Sequence, residues 1–423
     1  MPPVSREGMS SRERVRAAVE HRPVDRVPID FGGHRSSGIM AIAYARLKEH
    51  LGIASGDVYV YDVIQQLAIV EPPVLDAFGV DTVELGRGFL LDPAEWKEWT
   101  LPDGTRCKVP GYVNLERQGS DWYLLSERGT PVGVQKEGCL YFDQIHFPLA
   151  DRPIQDDDFA DLEDALAEVM WSVPHPGGHL PLDENGLTAL SRGAKALRQS
   201  TDRAMVGLFG GNLFETPQML YGMESYLTSV ALYPEACIRL SEALTRVYIA
   251  KLEKWLGAVG PYLDVVLFGD DLGGQQRPLI SPAMYREYYK PFHRRMWARA
   301  RELADVKIQL HSCGAIEPFL ADLADAGLDA VNPVQISAGG MDARTLKERH
   351  GERLCFWGGG CDTREVLPSR TPAEVAAHVR EQGEILARGS GFVFQQVHNV
   401  MADVPPENVV AMFGSVTELT PGS

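Results

Sequence analysis

His311 and Cys313 close an alternating apolar run in "IQLHSCGAIEPF" (308–319), and a third soft donor, Cys361, follows three glycines in "GGGCDT". Two thiolates and an imidazole suit Zn2+, whose borderline softness favours sulfur and nitrogen donors in a tetrahedron. Three protein ligands leave one position open, which is what separates a catalytic zinc from a closed structural one. A reactive thiol pair and plain packing of small apolar cysteines are the alternatives for the same residues. The remaining cysteines (Cys107, Cys139, Cys237 and Cys355) lie in apolar patterns or in a turn-rich region and are expected to pack. Six in so long a chain do not make a disulfide framework.

Other polar residues stand where apolar runs end. "FGDDLGGQQRPLISP" carries Asp270 and Asp271 side by side. Adjacent carboxylates point to opposite sides of an extended chain, so one is expected to face a cavity, with a cap or loop ion pair as the alternative. Asp30, His34 and Arg35 fall together in "DFGGHR", Gln335 follows "AVNPV", and "QQVHNV" places His398 and Asn399. We expect Asp30, Asp271 and His398 to serve catalysis, and His34, Arg35, Asp270, Gln335 and Asn399 to bind substrate. His398 fits a fourth ligand, an acid/base, or a donor behind the ligands equally well.

These residues converge only if the elements beneath them do. Eight short apolar runs recur along the chain: 27–31, 82–85, 204–210, 264–270, 306–311, 330–334, 354–360 and 392–398. Between the later ones lie amphipathic segments at 233–257, 281–305, 315–327 and 372–388. Two of these open on Ser-Pro and Thr-Pro, an N-cap followed by proline at the first helical position. Strands alternating with helices predict a parallel sheet, and eight such units predict a (β/α)8 TIM barrel, with a doubly wound open sheet as the alternative. The singled-out residues then sit at the C-terminal strand ends, the catalytic face of a barrel. Residues 93–180 break the rhythm with DG, QGSD and RGT turn signals, which predicts a β-hairpin-rich insertion after the second strand. We read one barrel domain over 1–423 with this insertion as a cap beside its mouth. Trp122, Tyr123, Tyr141 and Phe142 of the cap could line that mouth, hairpin packing being the plainer explanation.

The formal charge, 41 − 58 = −17, comes without a basic stripe, which excludes nucleic acid as an expected partner. No stretch approaches the ~20 apolar residues of a membrane span, and the N-terminus lacks the apolar core of a secretory signal. No membrane association and a cytoplasmic location are expected.

The segments "SSRERVRAAVEHRPVDRVPIDF", "FGDDLGGQQRPLISPAMYREYYKPF", "HSCGAIEPFLADLADAGLDAVNPVQ", "GGGCDTREVLPSRTPAEVAAHV" and "VHNVMADVPPENVVAMF" resemble the uroporphyrinogen decarboxylase superfamily, within it the cobalamin-linked methyltransferase branch. The resemblance covers most of the chain outside 93–180. It implies a barrel, a zinc site at His311, Cys313 and Cys361, and transfer of a methyl group between a small methylated substrate or thiol and a corrinoid (cobalamin). No separate domain would hold the corrinoid, so a partner corrinoid protein docking over the mouth is expected, and a homodimer is compatible with this. Decarboxylases of the superfamily carry an Arg-rich N-terminal segment, whereas "DFGGHRSSGI" offers Arg35 as its one evident cation. The rival readings are a metal-free decarboxylase-like lyase using Asp30, Arg35 and His398, a non-enzymatic corrinoid- or tetrapyrrole-binding module with a structural zinc, and a redox pair of Cys313 with Cys361.

Overall fold

Seven short parallel strands form one curled sheet in the computed structural model, which describes residues 8–53 and 56–419. They are β1 (Thr82–Glu84), β2 (Ala204–Gly210), β3 (Val265–Gly269), β4 (Lys307–His311), β5 (Ala330–Asn332), β6 (Cys355–Trp357) and β7 (Phe392–Val393), hydrogen-bonded side by side in that sequence. Each coincides with one of the apolar runs. The run expected to be the first strand, 27–31, contracts to a single parallel bridge between Ile29 and Phe394. Pro28 has no N–H to give a ladder, so only a short stretch pairs. That stretch still closes the ring. Asp30 N donates to Phe394 O and Phe394 N to Pro28 O, both at 2.8 Å, while Asp81 N donates to Ile29 O at 2.7 Å on the other side. The sheet is therefore a closed (β/α)8-type barrel seamed by residues 28–30.

Helix α1 (Ser11–Val19) begins with a capping box between Ser10 and Glu13. Its Val15, Ala18 and Val19 join Val206, Leu267, Ala330, Trp357 and Val393 in one cluster, the barrel interior. Arg12 hydrogen-bonds the carbonyls of Thr201 and Arg203, just before β2, so α1 plugs the end opposite His311. The segment expected as one helix over 281–305 is two, α2 (Pro282–Tyr288) and α3 (Lys290–Leu303), split at Tyr289. Pro291 explains the break, because its ring cannot continue the hydrogen-bond ladder of the preceding turn. Helix α4 (Pro372–Leu386) starts on the expected Thr371 cap, in a capping box with Glu374.

The insertion after β1 holds an antiparallel pair, Trp96–Thr100 with Arg106–Pro110, and a four-stranded antiparallel sheet from Asn114–Gln118 to Asp143–Gln144. The turn signals do what their residues require: Gly104, Gly119 and Gly129 all take positive φ. Among the described residues no helix is long and apolar enough to cross a membrane.

Candidate metal centre

His311 is the last residue of β4, in register with Gly269 on one side and Asn332 on the other. The chain turns immediately afterwards. Gly314 has φ +84°, and a Cβ there would lie 2.4 Å from the Gly273 carbonyl oxygen, so only glycine lets the two loops touch. Cys313 N donates to Asp271 Oδ1 at 2.8 Å, and this turn brings Cys313 Sγ to 3.3 Å from His311 Nε2. His398 arrives from beyond β7 with a left-handed backbone, φ 62°, and its ring lies 5.4 Å from that of His311 at 64°. One ligand atom each from His311, Cys313 and His398 fall within 4.8 Å of one another.

Burial shapes the electrostatics of this group. It pushes the His398 pKa down to about 3, helped by the facing His311 and His34. Burial lowers that of His311 as well, against the pull of Asp271. Both imidazoles are therefore neutral near pH 7 and present lone pairs. The Cys313 thiol is pushed well above its ordinary value by burial and then by the Asp271 and Glu215 carboxylates. Glu215 is raised to about 8 by burial, Asp271 and Asp270. Acids that cling to protons beside neutral imidazoles are what a divalent cation would reverse. Nitrogen, nitrogen and sulfur make a donor set that fits zinc.

His311 and His398 open on a cavity of about 770 Å3, lined also by Asp271, Glu215, Arg35, Trp171 and Tyr112. The model of the uroporphyrinogen decarboxylase (URO-D) family matches residues 180–419, more than half of the chain, which includes all three donors. The chain belongs to the uroporphyrinogen decarboxylase family. Curated relatives include uroporphyrinogen decarboxylases of Methylococcus capsulatus, 30% identical over 191 residues (40% of this chain, 48% of the relative), and of Chlorobium luteolum, 31% identical over 145 residues (33% and 38%). The chain spans about half the length, or less, of these curated relatives. Among solved structures a methyltransferase from Methanosarcina mazei shares the fold, with a TM-score of 0.58 at 15% identity, covering 97% of this chain and 99% of that one.

Within this family fold the expected site residues divide. Cys361 is not among the gathered donors. Its thiol is fully buried in the apolar core, with Sγ 3.8 Å from the Asp362 carbonyl oxygen. Gly358 and Gly359, at φ 125° and 75°, bend the chain just before it. His398 takes its place in the cluster. All six cysteines are free thiols.

Asp271 faces the cavity and Asp270 does not. Asp270 is fully buried, accepts from Phe214 N and Glu215 N at 2.9 Å, and meets His293 Nε2 at 3.1 Å. It anchors the start of the helix Glu215–Tyr221. Asp30, expected to be catalytic, is a structural node beneath the cavity. Gly33 N, Ser37 Oγ and Thr82 Oγ1 donate to one oxygen, and Trp357 Nε1 to the other at 2.7 Å. Burial alone would raise its pKa, but His34, Thr82 and Trp357 hold the carboxyl below the usual range. His34 is buried too, its Nδ1 accepting from Ser36 N while Nε2 lies 3.2 Å from Asp30. Asn399 accepts from Gly38 N and donates to Gln65. Gln335 accepts from Gly314 N at 2.9 Å and so braces the Cys313 turn.

Arg35 does line the cavity, with Nε 3.0 Å from Asp62 and its guanidinium 5.8 Å from the Trp171 ring. The aromatic wall differs from expectation. Trp122 packs on Trp99, Phe142 is buried, Tyr141 Oη sits 3.1 Å from Met401 Sδ, and Tyr123 is half-buried within its sheet; Tyr112 and Trp171 face the cavity instead. Glu215, Asn332 and Trp171 carried no sequence signal, since none has a motif around it.

Proposed function

We propose that the protein is a zinc-dependent methyltransferase that moves a methyl group between a small methylated substrate or a thiol and a corrinoid presented by a partner protein. One observation carries the reading. Two neutral imidazoles and a thiol converge at the strand ends of a barrel, beside a cavity that both imidazoles line, and three donors leave room for a reactant. His311, Cys313 and His398 would hold the ion. When bound, zinc supplies positive charge that turns a thiol into a thiolate at neutral pH or draws electrons from a methoxy oxygen.

The chain's own groups do the remainder. Asp271 fixes the Cys313 turn through its backbone N–H. Glu215, raised to about 8, holds a proton near neutrality at the cavity wall, where a leaving oxygen or an entering thiol needs one moved. Arg35, steadied by Asp62, receives an anionic substituent, and Tyr112 and Trp171 keep water from the substrate's apolar body. A cavity of about 770 Å3 suits a small molecule, not a corrin ring with its axial ligands, which supports delivery of the corrinoid at the mouth by another protein.

A metal-free lyase acting on a carboxylated substrate is the second reading, supported by Arg35 in the cavity and by the relatives' names. Zinc quantification with X-ray absorption, followed by a methylcobalamin-to-thiol transfer assay, separates the two. About one zinc per chain with mixed nitrogen and sulfur coordination is expected. Protein that stays metal-free after incubation with Zn2+ would overturn the methyltransferase reading.

A further inference from the structure

The His311 ring is held from behind by a chain of side-chain amides that leaves it one orientation. Its Nδ1 lies 2.7 Å from Asn332 Oδ1. Which end of the Asn332 amide is oxygen follows from its other partners. Asn332 Nδ2 donates to the Trp357 backbone carbonyl at 2.9 Å, an atom that can only accept, and to Gln395 Oε1 at 2.7 Å. Gln395 is fixed in the same way, because its Nε2 donates to the Ser36 backbone carbonyl at 2.8 Å. With both amides set by main-chain acceptors, Oδ1 must face the ring. An oxygen there accepts, so Nδ1 carries the hydrogen. The lone pair is left on Nε2, the atom that points at Cys313 Sγ. Asn332 and Gln395 are both fully buried, and neither lines the cavity. Two buried amides in series, spanning β5, β6 and the segment after β7, are costly unless every hydrogen bond is made.

We propose that Asn332 is the positioning residue of His311: locked by Gln395 and the Trp357 carbonyl, it sets the ring as the Nδ1–H tautomer and aims bare Nε2 at the point shared with Cys313 and His398. The part that concerns zinc rests on the methyltransferase reading; the tautomer does not. Metal-bound histidines owe orientation and basicity to such partners, and losing one weakens affinity by roughly 10–100-fold.

The test uses the full chain, free of metal, with nitrogen-15 NMR of the histidine rings assigned by a His311→Gln comparison, and Zn2+ affinity by chelator competition. Wild type is expected to show protonated Nδ1 and bare Nε2 at His311. Asn332→Asp keeps an acceptor and is expected to keep that tautomer. Asn332→Ala is expected to lose it and to bind Zn2+ roughly 10–100-fold more weakly. Should Asn332→Ala fail to fold, Gln395→Met removes one lock and is expected to give a mixture of tautomers. An Nε2–H ring in wild type, or an unaltered ring and affinity in the Ala or Met variant, overturns the proposal. Absence of Zn2+ binding by wild type with the Nδ1–H ring intact would instead overturn the methyltransferase reading alone.

Discussion

At the scale of single residues, the centre turns on which third donor joins His311 and Cys313. The structure brings His398 and leaves Cys361 in the core. Cys313→Ala and His398→Ala are therefore expected to abolish stoichiometric zinc while the barrel stays folded, because both side chains stand on loops at its mouth. Cys361→Ala is expected to keep its zinc and lose about 1 kcal/mol of stability from a small core void. Metal analysis beside urea denaturation of the three variants checks this, and zinc loss confined to Cys361→Ala would reverse the assignment. The His-x-Cys pair was legible in the sequence because two residues of one strand end must lie near each other. The third donor was legible only as one of several roles open to His398. The approach to Cys361 bends at two glycines, Gly358 and Gly359, whose positive φ values interrupt the alternation that a strand would impose, and spacing carries no record of that. Asn332 was equally hidden, for an asparagine inside an apolar run reveals nothing until its neighbouring strand is known.

At the scale of elements, the sequence located the strands by their apolar runs and the helices by their caps, and misjudged where proline intervenes. Pro28 reduces a strand to a bridge, and Pro291 divides a helix. The acid pair after β3 shows how an element end can split two identical side chains between architecture and chemistry. Asp270 serves as a buried anchor for the helix start at Phe214 and Glu215, and with His293 it fastens α3 to the mouth. Removing its carboxylate takes the acceptor from the Phe214 and Glu215 N–H groups and the partner from His293 Nε2. Asp270→Ala is expected to cost about 2–4 kcal/mol in denaturant unfolding and to detach Glu215 from its place. A variant of wild-type stability would show that the anchor is dispensable.

At the scale of the whole molecule, charge and closure govern behaviour. Glu84, at the end of β1, is fully buried, and burial raises its pKa to about 7 in spite of Arg35 and Arg87. The folded state thus holds this proton more tightly than the unfolded chain. Its contribution is complete below about pH 4.5 and is lost as pH rises through about 7. The loss across that window is about 3 kcal/mol. Glu84→Gln is expected to flatten the fall in stability between pH 5 and 8, read from urea midpoints; an unchanged slope would show that Glu84 is ionised throughout.

The seam at residues 28–30 sets the timing of folding. Its two sides, 28–30 and 392–394, lie far apart in the sequence. Until the two sides meet, β1 and β7 stand as raw sheet edges able to pair with another chain. Closing so distant a pair comes late among the contacts of the ring, and the open form is the one exposed to association with other copies.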